Sequence, residues 1–119
     1  MKKIFNILAA ILLGSVSAFA ADEPTYPGGD AAMQEYITST VVYPVMAKEN
    51  GVEGIVTVGF IVMPDGSLRD LKIVKPVDPD LEKEAIRVVN GMPKWNPAQE
   101  NGTPVEAPSK VDVPFILDE

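Results

Sequence analysis

The chain has 119 residues, a formal net charge of −7, and neither cysteine nor histidine. Their absence removes the usual zinc ligands, the Ser-His and Cys-His nucleophile pairs and the commonest general base near neutral pH, so an enzyme here would have to run on carboxylates, lysines, tyrosines or hydroxyls. The acidic balance repels nucleic acid and anionic lipid surfaces, and without a thiol neither a disulfide nor a thiol-linked lipid is available.

The opening MKKIFNILAAILLGSVSAFA has two lysines, a mostly apolar centre and an Ala18-Phe19-Ala20 end. That order predicts a secretory signal peptide, residues 1–20, cleaved after Ala20. The rival is an uncleaved membrane anchor from Ile4 to Ala21, 18 residues interrupted by Asn6, Gly14, Ser15 and Ser17. Cleavage leaves Ala21 to Glu119, 99 residues, and the loss of Lys2 and Lys3 moves the net charge from −7 to −9. That length holds one domain with one modest core, stabilised by burial alone.

Residues 21–42 form an N-terminal extension. Pro27-Gly28-Gly29 marks a turn, Asp30 is placed to cap, and Met33, Tyr36 and Ile37 recur at helical spacing, which predicts a helix from about Ala31 to Thr38. The glycine pair lacks the strand before it and the Gly-Lys-Ser or G-x-G-x-x-G after it that a phosphate cradle needs. Pro44 suits the first turn of a short helix over Val45 to Glu49, ended by Asn50-Gly51.

From Gly54 the period becomes two. Val56, Val58, Phe60 and Val62 share one face of a strand, and Ile55, Thr57, Gly59, Ile61 and Met63 the other, so both faces are apolar enough to expect cover. Met63-Pro64-Asp65-Gly66-Ser67 is turn chemistry and folds the chain into a second strand, Leu68 to Lys75. There Leu71 and Ile73 share one face and Leu68 and Val74 the other, and parity does not settle which is inward. Asp78-Pro79 then reads as an N-cap with proline at the first helical position, and Leu81, Ala85, Val88, Val89 and Met92 form the apolar stripe of an amphipathic helix ending near Gly91. Asp80, Glu82 and Glu84 suit the positive end of the helix dipole, and DPDLEKE has no glycine turn that would make them a calcium loop.

Pro93 to Lys110 reads as an irregular, proline-rich segment with a turn at Asn101-Gly102 and with Trp95 as a core anchor. In the closing VDVPFIL, Val111, Val113, Phe115 and Leu117 share a face. A hairpin, a returning helix and a last strand form an all-antiparallel sheet only if the last strand pairs with the first, in the order two, one, three. The last strand is then an edge, as Pro114 independently suggests, and parity turns the backbone groups of Asp112 and Ile116 outward, free to accept another strand. Pro114 and Asp112 also serve the opposite purpose of discouraging such pairing, although one lost hydrogen bond, about 0.5–1.5 kcal/mol, weakens it without forbidding it.

The succession from Tyr43-Pro44 through Gly54, Pro64-Asp65-Gly66, Leu81 with Glu84-Ala85, Trp95-x-Pro97 and Gly102 to the apolar last strand resembles the C-terminal domain of the TonB energy-transducer family, over residues 43–117. PGGDAAMQEYI is similar to an extension common in Bacteroidetes-type members. The resemblance implies an α+β domain, a three-stranded antiparallel sheet packed against helices, that binds TonB-dependent outer-membrane receptors in the periplasm and takes their N-terminal box as an added strand. The residues it implicates are Tyr43, Pro44, Val111, Asp112, Val113, Pro114, Phe115, Ile116 and Leu117, with no catalytic, metal or cofactor site. A full transducer of this family has an uncleaved inner-membrane anchor, a long spacer and ExbB/ExbD-type motor partners. Here only a handful of residues separate the signal-like segment from Tyr26, too few to span a periplasm at about 3.6 Å per residue.

Three readings follow: a periplasmic binding module, a membrane-anchored energy transducer for import of a siderophore, vitamin or glycan, and a structural homodimer joined through its edges. Mass determination of the exported protein is expected to give Ala21 as the N-terminus. A retained Met1 or Lys2 would restore the anchor and with it the ExbB/ExbD-type partners.

Overall fold

The structure is a computed structural model that describes residues 22–118. The signal-peptide reading of residues 1–20 lies outside the described residues. In chain order the elements are helices α1 (Asp30–Thr40) and α2 (Val45–Glu49), strands β1 (Gly54–Val62) and β2 (Leu68–Lys75), helix α3 (Pro79–Asn90), and strands β3 (Ala98–Glu100), β4 (Thr103–Val105) and β5 (Ala107–Phe115). The main sheet has the order β2-β1-β5 with both pairings antiparallel, the α+β arrangement expected.

The alternation in β1 decides where the core lies. Val56, Val58, Phe60 and Val62 face inward at 2% exposure or less and meet Leu81, Ala85, Val88 and Val89 of α3 and Val111, Val113 and Phe115 of β5. Helix α3 starts as its sequence dictates: the Asp78 carboxylate accepts from the Asp80 and Leu81 N–H groups at 3.0 and 3.2 Å, and Pro79 needs no partner. Helix α2 ends on Gly51 at φ 66°, with Gly51 N–H bonding the Lys48 carbonyl and Val52 N–H the Ala47 carbonyl, at 3.2 and 2.9 Å, which satisfies two otherwise orphaned acceptors.

Several expectations are corrected. Helix α1 runs from Asp30 to Thr40, and Asp30 lies inside it; Gly29 is the N-cap and no side chain caps the end, because the Gly28-Gly29 turn brings the chain in at positive φ. Pro44 is the N-cap of α2 and not its first residue. The parity question in β2 has neither of the two answers, since Leu68, Leu71 and Ile73 all pack on the core. Register shifts opposite Phe60 and between Thr57 and Val58 leave an extra residue in β2 at each point, and Asp70 takes φ 58° at the first, so the strand changes parity on the way. The outer face of β1 is covered unevenly: Ile55 is 51% exposed, whereas Thr57 and Gly59 are buried under their neighbours.

The proline-rich stretch is not irregular throughout. It holds the β3–β4 hairpin, turned by Asn101 and Gly102 at φ 54° and 80°, and the first four residues of β5. Trp95 is a core anchor at 5% exposure, edge-on to Phe60 at 5.2 Å and to Tyr26 at 5.9 Å. The N-terminal extension belongs to the same body, for Asp22 and Gln99 exchange backbone hydrogen bonds, as do Thr25 and Asn96.

Gly66 allows this closure. Its φ is +91°, its carbonyl accepts from Trp95 N–H at 2.8 Å, and a Cβ there would stand 2.3 Å from the Trp95 carbonyl oxygen. Gly66→Ala is expected to cost about 2 kcal/mol or more and lower the melting temperature by roughly 10 °C, read from urea and thermal unfolding. A midpoint equal to wild type would mean that this approach does not hold Trp95 in place.

Candidate functional site

Strand β5 pairs with β1 over nine consecutive residues, from Gly54 opposite Phe115 to Val62 opposite Ala107, without a bulge. It has no second strand neighbour, and among the described residues no backbone hydrogen bond reaches its other side. In an antiparallel ladder, residues alternate between those whose N–H and C=O bond the partner and those whose groups point away. Pro108 and Pro114 are six residues apart and so share a phase. Two missing donors can be tolerated only in the phase that faces solvent. Ala107, Ser109, Val111, Val113 and Phe115 therefore serve the ladder, and Pro108, Lys110, Asp112 and Pro114 turn their backbone outward.

The side chains follow the same alternation. Val111, Val113 and Phe115 are buried at 3%, 0% and 1%, whereas Asp112 and Pro114 are exposed on the outer face with Lys110 and Pro108. Thr57 on β1 donates its hydroxyl to the Asp112 carboxylate at 2.7 Å across that face. Ile116 and Leu117 differ from expectation, because the strand stops at Phe115. The Glu53 carboxylate, just before β1, accepts from Leu117 N–H at 2.6 Å and draws the chain off the sheet where β1 has no further residue to pair. Ile116 consequently offers no ladder group, and Leu117 does not continue the apolar face of the strand.

Tyr43 and Pro44 lie beside the end of this strand. The Tyr43 ring meets Phe115 edge-on, centroids 5.6 Å apart, and its hydroxyl donates to the Val52 carbonyl. Loss of solvent around the phenol, and then the nearby Glu53 carboxylate, raise its pKa, so it stays a donor. Tyr43 thus works first as a strut for the strand end. Around the contact, Val42, Val45, Met46 and Ile116 are 64%, 68%, 58% and 68% exposed, an apolar surface at the C-terminal end of β5.

The approach to Tyr43 is fixed by charge. Glu84 of α3 accepts from Val42 N–H at 2.7 Å and pairs with Arg87 at 2.7 Å, while Arg87 donates to the Thr40 carbonyl at 2.9 Å. The Arg87 guanidinium holds the Glu84 carboxyl below its usual range, with the Val42 N–H adding to the effect. At its other end β5 borders a groove of about 810 Å³, in which Ala107 to Lys110 face the Asp22-Glu23-Pro24 segment and Ala98, and which opens over Gly59 toward Lys72 and Val74.

Reading the sequence alone missed Pro108 and Lys110 as edge residues. The alternation was present in APSKVDVPF, but the prolines made its first half look like loop. The exposure of Val42, Val45 and Met46 had no signal in the sequence, since apolar residues beside a proline fit a core equally well.

The family model for the Gram-negative bacterial TonB protein C-terminal region matches residues 39–117. An NMR solution structure of the Helicobacter pylori TonB C-terminal domain is 28% identical, with a TM-score of 0.57, covering 78% of this chain and 88% of that one. A second, shorter NMR structure of that domain is 29% identical, also with a TM-score of 0.57, covering 75% of this chain and 94% of that one. No curated protein sequence matches the chain. This chain belongs to the TonB C-terminal family, and so to the receptor-interacting modules of TonB-type energy transduction and transport.

The pH dependence of the Glu84 clamp follows from its lowered pKa. The carboxylate stabilises the fold fully above its unfolded pKa, and that contribution is lost as pH falls through the lower folded value. Glu84→Gln is expected to lower stability by a constant amount between pH 6 and 8 and to converge with wild type below about pH 4, measured by urea denaturation at each pH. A deficit that persists undiminished in acid would assign the loss to packing and not to charge.

Proposed function

We propose that the exported form of this chain is a periplasmic binding module that takes an extended segment of another protein as a fourth strand along the outer side of β5. The observation that carries this reading is a nine-residue ladder with one neighbour only, its far side unbonded among the described residues. Family membership supports a TonB-dependent outer-membrane receptor as the partner class, and the segment proposed is its N-terminal box. Within the strand, Val111, Val113 and Phe115 hold the edge rigid from below, while Asp112 and Pro114 meet the partner. Tyr43, Pro44, Ile116 and Leu117 form the adjoining end, where the exposed Val42, Val45 and Met46 receive apolar residues that run past the paired segment. Binding by main-chain pairing needs no cofactor and no catalysis.

The domain boundaries fit this reading: residues 1–20 as the removed signal, 21–42 as the extension packed on the body, and 43–117 as the binding domain. No helix among the described residues is long and apolar enough to cross a membrane. The second reading, a membrane-anchored transducer working with an ExbB/ExbD-type motor, has one observation against it. Asp22 is already bonded to Gln99 at 3.0 and 3.3 Å, so a retained Ile4–Ala21 segment would hold the domain at the membrane with no spacer to reach a receptor.

Titration of the exported protein with synthetic receptor N-terminal peptides, followed by amide shifts, tests the proposal. The amides of Lys110 to Val113, of Phe115, and of Val42, Tyr43, Val45 and Met46 are expected to move together, with those of α3 still. Shifts confined to other surfaces, or none at millimolar peptide, would remove the binding reading. Dissociation constants that vary with protein concentration, with shifts at β5 before any peptide is added, would instead favour the homodimer.

A further inference from the structure

The outer face of the sheet is more specific than an open edge requires. Register aligns the residues of three strands in rows: Pro108 with Ile61 and Arg69, Lys110 with Gly59 and Lys72, Asp112 with Thr57 and Lys75. The middle row is unusual. Its centre is a glycine, its two flanks are lysines, and neither lysine makes an ion pair among the described residues. In the next row the Asp112 carboxylate accepts a hydrogen bond from the Thr57 hydroxyl on its sheet side at 2.7 Å, and its position at the rim leaves the other side to a newcomer.

The prolines add a second constraint. With Pro108 and Pro114 lacking donors, the outward N–H groups between them belong to Lys110 and Asp112 alone. A docked strand gains both bonds only when its carbonyls meet those two residues. A slip of two residues in either direction brings the next carbonyl of the repeating backbone to the same two donors, so the main chain alone does not choose between registers two residues apart, and that choice falls to the side chains.

We infer that the stretch from Pro108 to Pro114 is a slot whose register is set by charge, selecting an extended peptide that carries an acidic side chain opposite Lys110 and, two residues away, a basic or hydroxyl side chain opposite Asp112. The inference rests on the strand-addition reading above and specifies its partner. Cross-strand neighbours of opposite charge stabilise a sheet and like charges oppose it, so Lys110 with Lys72 behind it asks for a carboxylate, and the half-satisfied Asp112 asks for a donor. The preference for acid is local, because Asp22, Glu23 and Asp70 line the same groove as Lys110 and Lys72 and repel a second carboxylate.

The test uses the exported protein and seven-residue peptides identical except for Glu, Gln or Lys at the position opposite Lys110, each with a nitroxide at one end. The Glu peptide is expected to bind about threefold to tenfold more tightly than the Lys peptide, with the ratio falling in high salt. The order should reverse in K110E, an exposed substitution that leaves the core untouched. The nitroxide of the Glu peptide should broaden amides at one end of β5 only. Peptides that shift Lys110 and Asp112 amides without charge preference, or that broaden both ends of β5 in the wild type, would overturn the slot while leaving strand addition standing. Peptides that never perturb β5 would overturn both.

Discussion

Nine residue pairs between Gly54–Val62 and Ala107–Phe115 set the buried Val56 opposite Val113 and Val58 opposite Val111, with Phe115 opposite Gly54 at one end and Val62 opposite Ala107 at the other, and the rest of the molecule is arranged around that ladder. The two strands lie some 50 residues apart in sequence, so their pairing closes a long loop. The intervening chain repays that entropy by packing inside the loop: α3 buries Leu81, Ala85, Val88 and Val89 on the sheet, and Trp95 fills the end against Phe60. With β2 on one side of β1 and β5 on the other, the central strand is paired on both sides from Thr57 to Val62, and the property of offering a free side passes to the rim.

An open rim endangers a soluble protein because any extended chain can pair with it. Here the same residues limit that danger and define what can bind. Pro108 and Pro114 shorten the run of donors, Lys110 and Asp112 place charges of both signs on the face beside it, and Glu53 holds Leu117 so that the strand cannot lengthen past Phe115. A rim cut to a few residues binds weakly through its backbone alone, which leaves selectivity to the flanking side chains. Tyr43 bears on Phe115 from below and keeps the strand end from fraying.

The N-terminal extension gives the domain its upper boundary. Tyr26 lies between Tyr36 and Trp95, at 6.1 and 5.9 Å between centroids, and Tyr36 donates its hydroxyl to the Val88 carbonyl of α3 at 2.8 Å. The extension therefore joins the body through aromatic packing and hydrogen bonds and not as slack chain. With Arg87 and Glu84 holding Thr40 and Val42, the residues just before Tyr43 are fixed where α1 ends.

The sequence by itself determined what depends on neighbours along the chain: the Asp78-Pro79 start of α3 and its stripe, the alternation of β1, the glycine turns at Gly51 and Gly66, and the place of Trp95 as an anchor. The sheet order could also be read, since antiparallel pairing leaves one place for the last strand and a proline there needs a rim. Tertiary structure alone decided the rest. The bulges that bring Leu68, Leu71 and Ile73 to one side arise from pairing with β1; the early start of β5 at Ala107 depends on a partner that tolerates Pro108, and its end at Phe115 on Glu53 more than 60 residues away. The exposure of Val42, Val45 and Met46 is likewise a matter of what packs nearby. Such features are set by contacts between distant segments, and a local pattern of residues does not encode which distant group will arrive.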